Sequence, residues 1–454
     1  MSEHVENIDK RDVLWSYASM FLLVGSGIIL LPFMLNKMSS DTIGMWQIFQ
    51  TITALVLLLD FGFRPSFSRN VSYIFSGVQM LQKEGVNRAD NNGTVHYGLL
   101  QSTLGAMKRF YRYIALAVLV LLCTAGTVYI YFIMQKYAGD VRDAWVAWGL
   151  LITINSYSLY TQYYDALLTG KGYIKRNQQI IIVSQLIYLS VAVGLIYAGL
   201  GLSAVVGAQL LSTIVRRVLA KRTFFTKEML DRLANAMNAP QTSKEVLRVI
   251  TPNATKVGLT YVGAFLVSKA ALLMGSIFLS LEQIAVYGIS MQVLDVLARC
   301  GMVYYISYIP KLAQYRAENA LKKLWNTYCN SIALLIGTYI VGGVLFILFG
   351  EWALRLIGSS TSFLPTKMLF VALLISFLEH NHSISAGFIM ADNKIPFFIP
   401  SLLSGAATIF LLWLFLSPFH WGVWGMILAP GLAQLAYQNW KWPSVVIHEL
   451  FPYR

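Results

Sequence analysis

KRTFFTKEMLDRLANAMNAP, residues 221–240, forms the main part of the longest polar break within an otherwise apolar chain of 454 residues. The apolar residues of this segment share one helical face, with charged residues opposite, which predicts an amphipathic helix lying on a membrane surface. They are Phe225, Met229, Leu230, Leu233 and Met237. The break has six long apolar stretches before it and six after it, so the sequence predicts two six-helix halves.

Composition places the chain in a membrane. Hydrophobic residues make up 57% of it and charged residues only 12%, with a mean hydropathy of +0.59, whereas about a quarter of a soluble domain is charged. Each apolar stretch is long enough to cross a hydrocarbon layer of ~30 Å as a helix. The predicted spans are 14–35, 42–63, 111–134, 146–169, 178–198, 202–219, 250–278, 283–306, 328–349, 367–391, 395–416 and 421–440. The sequence therefore predicts an all-α integral membrane protein with about twelve transmembrane helices.

Basic residues predict the orientation of these spans. Lys and Arg number 35 against 21 acidic residues, and most of them fall in the segments that share a side with both termini. The opposite side keeps Lys37, Lys136, Arg142, Arg355 and Lys367. Because basic residues accumulate on the cytoplasmic side of membrane proteins, we expect both termini to be cytoplasmic. This asymmetry explains the net charge of +14 without a nucleic-acid partner.

The predicted domains are an N-terminal six-helix bundle at 1–219, a cytoplasmic amphipathic linker at 220–249 and a C-terminal six-helix bundle at 250–454. An even number of spans in each half gives both halves the same orientation, as in parallel transporter repeats, and favours two bundles around a central cavity. Thr242 with Glu245 has the spacing of a capping box and predicts the start of a helix there.

Two acid–base pairs lie within predicted spans. Asp60 and Arg64 end the second span, and Asp295 and Arg299 lie in the eighth, each pair four residues apart. On a helix this spacing brings the two side chains to one face, so each pair could neutralise itself. Charges at this depth are costly in hydrocarbon and therefore indicate a protein interior, a water-filled cavity or a functional site.

Further polar residues lie in the seventh and tenth spans. Lys256 is near the inner end of span seven, and Lys269 lies ~20 Å deeper. Span ten brings Glu379, His380 and His382 ~18–23 Å inward from its outer end. Two interpretations stay open for these three: a hydrogen-bonded polar contact between helices, or a proton or cation site. Their spacing is a poor match to a metal site.

Patterns of enzyme chemistry are missing from the sequence. It contains no P-loop, catalytic triad or metalloprotease motif, and Cys123, Cys300 and Cys329 lack the paired spacing of metal or redox sites. We therefore expect a protein that is not an enzyme, has no cofactor, and draws energy from its substrate or from a gradient of H⁺ or Na⁺.

Three segments carry a family resemblance. They are LLLDFGFRPSFSRNVSYIFSG (57–77), YVGAFLVSKAALLMGSIFLSLEQIAVYGISMQVLDVL (261–297) and LEHNHSISAGFIMADNKIPFFIPSLLSG (378–405). With the two six-helix halves, they resemble the Wzx-type O-antigen and capsule repeat-unit flippases of the multidrug/oligosaccharidyl-lipid/polysaccharide (MOP) exporter superfamily. The resemblance implies a MATE-like fold and translocation of a polyprenyl-diphosphate-linked oligosaccharide across the bacterial cytoplasmic membrane by alternating access, with undecaprenyl as the lipid.

The resemblance also implies residue roles and partners. By analogy with a cationic cavity, Arg64, Arg299, Lys256 and Lys269 would bind the head group, and Tyr261 and Tyr287 would stack on sugars. Asp60, Asp295, Glu379, His380 and His382 would balance charge or bind a coupling ion. The implied partners are the lipid-linked oligosaccharide, membrane lipid, and, as candidates, a polysaccharide polymerase and glycosyltransferases.

Several rival functions stay open. A cation-coupled multidrug antiporter of the same fold should have an acidic cavity, whereas basic residues match or outnumber acids inside these spans. A lipid II flippase also handles a diphosphate, although twelve rather than fourteen spans argue against it. A membrane-embedded glycosyltransferase or polymerase should carry a large outer catalytic loop, and a scaffold would not explain Glu379 or Lys269.

Overall fold

The computed structural model describes residues 10–82, 95–236, 239–317, 320–391 and 396–453. These residues form nineteen α-helices and no β-strand. The helices are α1 Lys10–Lys37, α2 Ser40–Leu58, α3 Phe63–Phe75, α4 Tyr97–Leu121, α5 Thr127–Met134, α6 Val141–Tyr160, α7 Tyr163–Gly170, α8 Ile174–Tyr197, α9 Leu202–Phe224, α10 Lys227–Ala234, α11 Ser243–Ser268, α12 Ala270–Phe278, α13 Leu281–Gly301, α14 Val303–Ala317, α15 Leu321–Leu356, α16 Thr366–Met390, α17 Phe398–Leu416, α18 Val423–Leu435 and α19 Gln438–Leu450.

Each of the twelve predicted spans coincides with one of these helices or with two in succession. In the described part of the chain, eight helices are long and apolar enough to cross a membrane. A ninth span results if the segments Gly258–Ser268 and Ala270–Phe278, which meet at an angle of 43°, are counted together. A π-helical turn, Leu122–Gly126, joins α4 to α5, so that these two form one continuous rod. The prediction of an all-α membrane protein is confirmed.

The chain divides into two compact units. Unit 1 comprises Met1–Lys37 and Ile52–Gly258, and unit 2 comprises Met38–Thr51 and Leu259–Arg454. Two of the three boundaries therefore fall inside helices, one in α2 and one in α11. The sequence-based boundaries at 219 and 250 stay a prediction.

The amphipathic helix predicted after the sixth span exists as α10. Its apolar face is divided between two environments. Met229 and Leu233 are buried in an apolar core of unit 1 that also contains residues of α3 and α4, whereas Leu230 is exposed. Burial of apolar surface in this core stabilises the position of α10. Met237 lies outside the described residues.

The predicted capping box begins α11 as expected. The Thr242 backbone N–H donates to Glu245 Oε2 at 2.7 Å, and the Glu245 backbone N–H donates to Thr242 Oγ1 at 3.4 Å. These reciprocal bonds satisfy two backbone donors that the first turn of a helix leaves without partners. The helix start predicted from Thr242 and Glu245 is therefore confirmed.

Candidate functional site

Asp60 lies in a sharp turn between α2 and α3, not on a continuous helix. The turn requires left-handed backbone angles, with φ of 45° at Phe61 and 70° at Gly62. Asp60 Oδ2 accepts a hydrogen bond from the backbone N–H of Arg64 at 3.1 Å, and Oδ1 accepts one from Tyr111 Oη at 2.7 Å. The expectation that Asp60 and Arg64 share a helical face is therefore wrong, although the charge of Arg64 still acts on that of Asp60. The carboxylate is held by a backbone group and a phenol because the chain turns directly after it.

Because Asp60 is held in this way, the side chain of Arg64 is left exposed. Arg64 lies near enough to Asp165 and Arg216 to act on both electrostatically. The neighbours of Arg64 therefore include, besides Asp60, residues about 100 and 150 positions further along the chain. Such neighbours follow only from the packing of α3 against α7 and of α7 against α9.

A buried ion cluster joins α7 to α9. Asp165 Oδ2 lies 2.9 Å from Arg217 Nη1 and 3.0 Å from Arg216 Nη2. The side chains of Asp165 and Arg217 are only 7% and 5% exposed, whereas Arg216 is 29% exposed. Arg217 also donates to the backbone oxygen of Ser158 at 3.2 Å. Because Asp165 and Arg217 are buried, loss of one partner would cost more stability than loss of a partner from an ion pair on the surface.

The cluster carries more positive than negative charge. Three arginines, Arg64, Arg216 and Arg217, stand against two carboxylates, Asp60 and Asp165. Among the described atoms, the Nε groups of Arg216 and Arg217 are buried without a hydrogen-bond partner. This arrangement suits an anion, because guanidinium groups bind phosphate oxygens through paired hydrogen bonds.

The sequence singled out Asp60 and Arg64 of this cluster but not its other three members. Sequence reasoning counted Arg216 and Arg217 among the basic residues of the cytoplasmic side and did not single out Asp165. A signal was nevertheless present, since Asp165 is an acidic residue inside the predicted span 146–169, and such a residue calls for a partner.

A second polar cluster lies in unit 2, around a break in a helix. Lys269 lies between α11 and α12, where the two segments bend by 43°. Its Nζ lies 2.9 Å from Asp295 Oδ2, with the two side chains 40% and 46% exposed. The expected pairing of Asp295 with Arg299 is therefore wrong. Arg299 is exposed in the last turn of α13.

Glu379 of α16 belongs to the same cluster. Its side chain lies close to Gln434, and Lys269, Asp295 and His380 act on it electrostatically. His380 Nδ1 lies 2.7 Å from the backbone oxygen of Ser376. The structure thus brings together four polar residues that the sequence singled out, Lys269, Asp295, Glu379 and His380.

The tyrosines singled out from the sequence differ in their surroundings. The charges of Glu379 and Asp295 act on Tyr287, which is only 5% exposed. Its ring is therefore covered in this conformation, and its role in stacking on sugars stays a prediction. Tyr261 is 52% exposed, which leaves its ring open to stacking.

Two further candidates from the sequence are His382 and Lys256. His382 is buried and faces α19, where its Nδ1 lies 2.9 Å from Asn439 Oδ1. That contact agrees with the interpretation as a polar contact between helices. The side chain of Lys256 lies outside the described part of the structure. In the described residues, the acidic, His and Cys side chains form no group of three that could hold a metal ion.

Comparison with solved structures identifies the fold. An inward-facing multidrug resistance MATE family transporter of the MOP superfamily has a TM-score of 0.71 at 11% identity, with 98% of this chain and 99% of that chain covered. The outward-facing conformation of a MATE family transporter of the MOP superfamily has a TM-score of 0.60 at 13% identity, covering 100% and 98%. The lipid II flippase MurJ in an inward closed conformation has a TM-score of 0.63 at 12% identity, covering 97% and 87%.

Sequence comparison adds no relative. No protein-family profile and no curated protein matches the chain. At identities this low, similarity of structure establishes the fold and leaves the substrate to be argued from the residues. The chain is a multi-pass membrane protein with the fold of the MOP transporters.

Proposed function

We propose that this protein is a flippase for polyprenyl-diphosphate-linked oligosaccharide repeat units. It would carry them from the cytoplasmic to the periplasmic leaflet of the bacterial cytoplasmic membrane, with both termini in the cytoplasm. The observation that carries the proposal is the partly buried ion cluster of unit 1, where Arg64, Arg216 and Arg217 outnumber Asp60 and Asp165. The fold supports the proposal, because the lipid II flippase MurJ shares it.

The chemistry of the substrate requires such a cluster. A diphosphate is anionic at neutral pH and cannot enter hydrocarbon without compensating charge. Arg64 is exposed and Arg216 is partly exposed, so both can reach a ligand. Arg217 is buried and would instead hold Asp165 in place. In unit 2, Lys269 would contribute a further cation, and Arg299 and Lys256 stay candidates for the head group.

Coupling to an ion is assigned to unit 2. Glu379 is flanked by Lys269, Asp295 and His380, so binding of H⁺ or Na⁺ would change the charge balance of the whole cluster. The broken helix at Lys269 supports this role, because transporters commonly place ion and substrate sites at discontinuous helices. Movement between two conformations would then depend on whether the ion is bound.

A multidrug antiporter is the main rival, since MATE transporters share the fold. Cationic drugs call for a site with excess negative charge, as expected from simple electrostatics. The ion cluster of unit 1 instead has an excess of positive charge, with three arginines and two carboxylates. A flippase for lipid II is the second rival, and it differs from our proposal only in the sugar and peptide carried by the diphosphate.

The deciding experiment measures lipid-linked oligosaccharide on each face of the membrane. Deletion of the gene in its host should cause these molecules to accumulate on the cytoplasmic face and surface polysaccharide to disappear. If surface polysaccharide is unchanged and the cells become sensitive to cationic dyes, the protein is an antiporter. Arrest of cell-wall synthesis with accumulation of lipid II would instead identify a lipid II flippase.

Complementation of the deletion tests the cationic cluster itself. Arg64→Ala should reduce surface polysaccharide strongly, and Arg64→Lys should reduce it less because a cation remains. The matched control is Arg109→Ala, which removes an exposed arginine from α4. Full complementation by Arg64→Ala would exclude Arg64 from head-group binding.

A further inference from the structure

A groove of about 430 Å³ lies between the first turns of α8 and the last turns of α9 in unit 1. It is separate from the ion cluster described above, and the proposed function assigns it no role. The residues that line it are Arg176, Gln179, Ile180, Val183, Leu219, Arg222, Thr223 and Thr226. On α8 they follow a spacing of three, four and seven residues and form one continuous face. Leu219, Arg222 and Thr223 lie on one face of α9, and Thr226 caps α10 just beyond its end.

Polarity changes in the same direction along both faces. On α8 the lining passes from Arg176 to Val183. On the other side it passes from Thr226, the N-cap of α10, and Arg222 of α9 back to Leu219. The helices run antiparallel, so the polar ends lie together and the apolar ends lie together. From Arg176 to Val183 the face on α8 rises ~10 Å, and from Leu219 to Thr223 the face on α9 rises ~6 Å. The groove is therefore charged at one end and apolar at the other.

The position of the groove matches the edge of a membrane. Both α8 and α9 are long and apolar enough to be membrane spans. Arg176 lies in the first turn of α8 and Arg222 in the last turn of α9. The charged end of the groove therefore lies at the level of lipid head groups, and the apolar end points toward the acyl chains.

Electrostatics at this end favour an anion. No acidic residue lines the groove, and α8, which is fully described, has no acidic residue in its first turn and no side-chain cap. A helix N-terminus carries partial positive charge, to which Arg176 adds a full charge. Arg176 is held over the ring of Tyr173, with its Cζ 4.9 Å from the ring centroid. Two arginines and a helix N-terminus thus converge without a counter-charge in the lining.

Hydrogen-bond donors are also available to a phosphate. The hydroxyl of Thr226 accepts from the backbone N–H of Met229, so its own proton stays free to be donated. The hydroxyl of Thr223 donates to the backbone oxygen of Leu219 at 2.8 Å and is already used. Arg176, Arg222, Gln179 and Thr226 can therefore supply the donors.

We propose that this groove binds an anionic phospholipid from the surrounding bilayer, with its phosphate between Arg176 and Arg222 and an acyl chain along Ile180, Val183 and Leu219. A basic site between membrane helices with an apolar extension has the polarity of such a lipid. The lipid is not the transported substrate. It would stabilise the α8–α9 pair, so the proposal stands independently of what the protein transports.

Native mass spectrometry of the purified full-length protein tests this proposal. The protein in detergent is offered equal amounts of phosphatidylglycerol and phosphatidylcholine with identical acyl chains. We expect preferential retention of phosphatidylglycerol. The variant R176Q/R222Q should lose about 30-fold in affinity for it, equal to about 2 kcal/mol, because each interfacial arginine contributes on the order of 1 kcal/mol to anionic lipid binding.

The control variant K221Q/K227Q removes the same charge from two exposed positions beside the groove and should retain the lipid as the unmodified protein does. Equal losses in both double variants, or no loss in R176Q/R222Q, would overturn the proposal. Displacement of phosphatidylglycerol by an excess of inorganic phosphate would show that the groove recognises phosphate alone. Displacement by an equal amount of polyprenyl diphosphate would assign the groove to the substrate, and either result would also overturn it.

Discussion

Arg217 and Asp165 are both almost completely buried, and each depends on the other for compensation of its charge. Placing a charge in a protein interior costs several kcal/mol unless a partner of opposite charge is close and the remaining donors are satisfied. Asp165 accepts from both Arg216 and Arg217, and loss of either arginine would weaken this compensation. The site is therefore sensitive to changes that would be harmless on the surface.

Arg217→Gln should lower the stability of the protein by about 3–5 kcal/mol, because it leaves the carboxylate of Asp165 buried with one partner fewer. Thermal unfolding in detergent, followed by intrinsic fluorescence, measures the change. Arg109→Gln, at an exposed position of α4, should change stability by no more than about 0.5 kcal/mol. Equal behaviour of the two variants would mean that the ion pair makes no net contribution.

Glu379→Gln tests the ion-coupling role at the same scale. Glutamine has nearly the same shape as glutamate but can neither carry the charge nor bind a proton or Na⁺. We expect it to reduce transport by at least about tenfold, the effect of 1.4 kcal/mol, with the amount of folded protein unchanged. Glu282→Gln, at an exposed position in the first turn of α13, is the matched control. Normal transport by the Glu379→Gln variant would remove Glu379 from the coupling mechanism.

At the scale of elements, the turn between α2 and α3 depends on a close approach by α11. A Cβ placed on Gly258 would lie 2.5 Å from the Cα and 2.8 Å from the carbonyl carbon of Phe61. Phe61 has left-handed backbone angles, which are unfavourable for a residue with a side chain. Because the obstructing atoms belong to the backbone, no side-chain rotation can relieve the contact.

Gly258→Ala should therefore destabilise the protein by about 1–3 kcal/mol through overpacking. Gly207→Ala in α9 provides the control, since nothing lies within 4 Å of its added Cβ. It should leave stability unchanged or raise it by up to about 1 kcal/mol, because alanine favours a helix more than glycine does. Melting temperatures of both variants, measured side by side, decide the matter. An unchanged melting temperature for Gly258→Ala would show that the turn between α2 and α3 can shift to make room for the added methyl group.

At the scale of the whole molecule, the orientation in the membrane is open to a direct test. Cysteines introduced at Gln135 and Lys221, both exposed, lie in segments predicted on opposite sides. In a background without Cys123, Cys300 and Cys329, a membrane-impermeant thiol reagent should label Lys221→Cys only from the cytoplasmic side and Gln135→Cys only from the other side. The reverse pattern would invert the predicted topology.

The sequence by itself determined the class of the protein and the approximate place of each predicted span. These are local properties, since a run of apolar residues either is or is not long enough to cross a bilayer. Local chemistry also decided the start of α11 through Thr242 and Glu245. The polar residues within the spans were visible for the same reason, because a charge in an apolar run stands out without knowledge of its neighbours.

Only the tertiary structure decided which of these residues meet. Asp295 pairs with Lys269 and not with Arg299, four residues away on its own helix, because the rotation of α13 turns it toward the broken helix. Asp165 meets Arg217 across 52 positions of sequence, and Asp60 falls in a turn instead of on a helix. Helix rotation, breaks and pairing depend on packing between distant segments, and a hydropathy pattern carries no information about them.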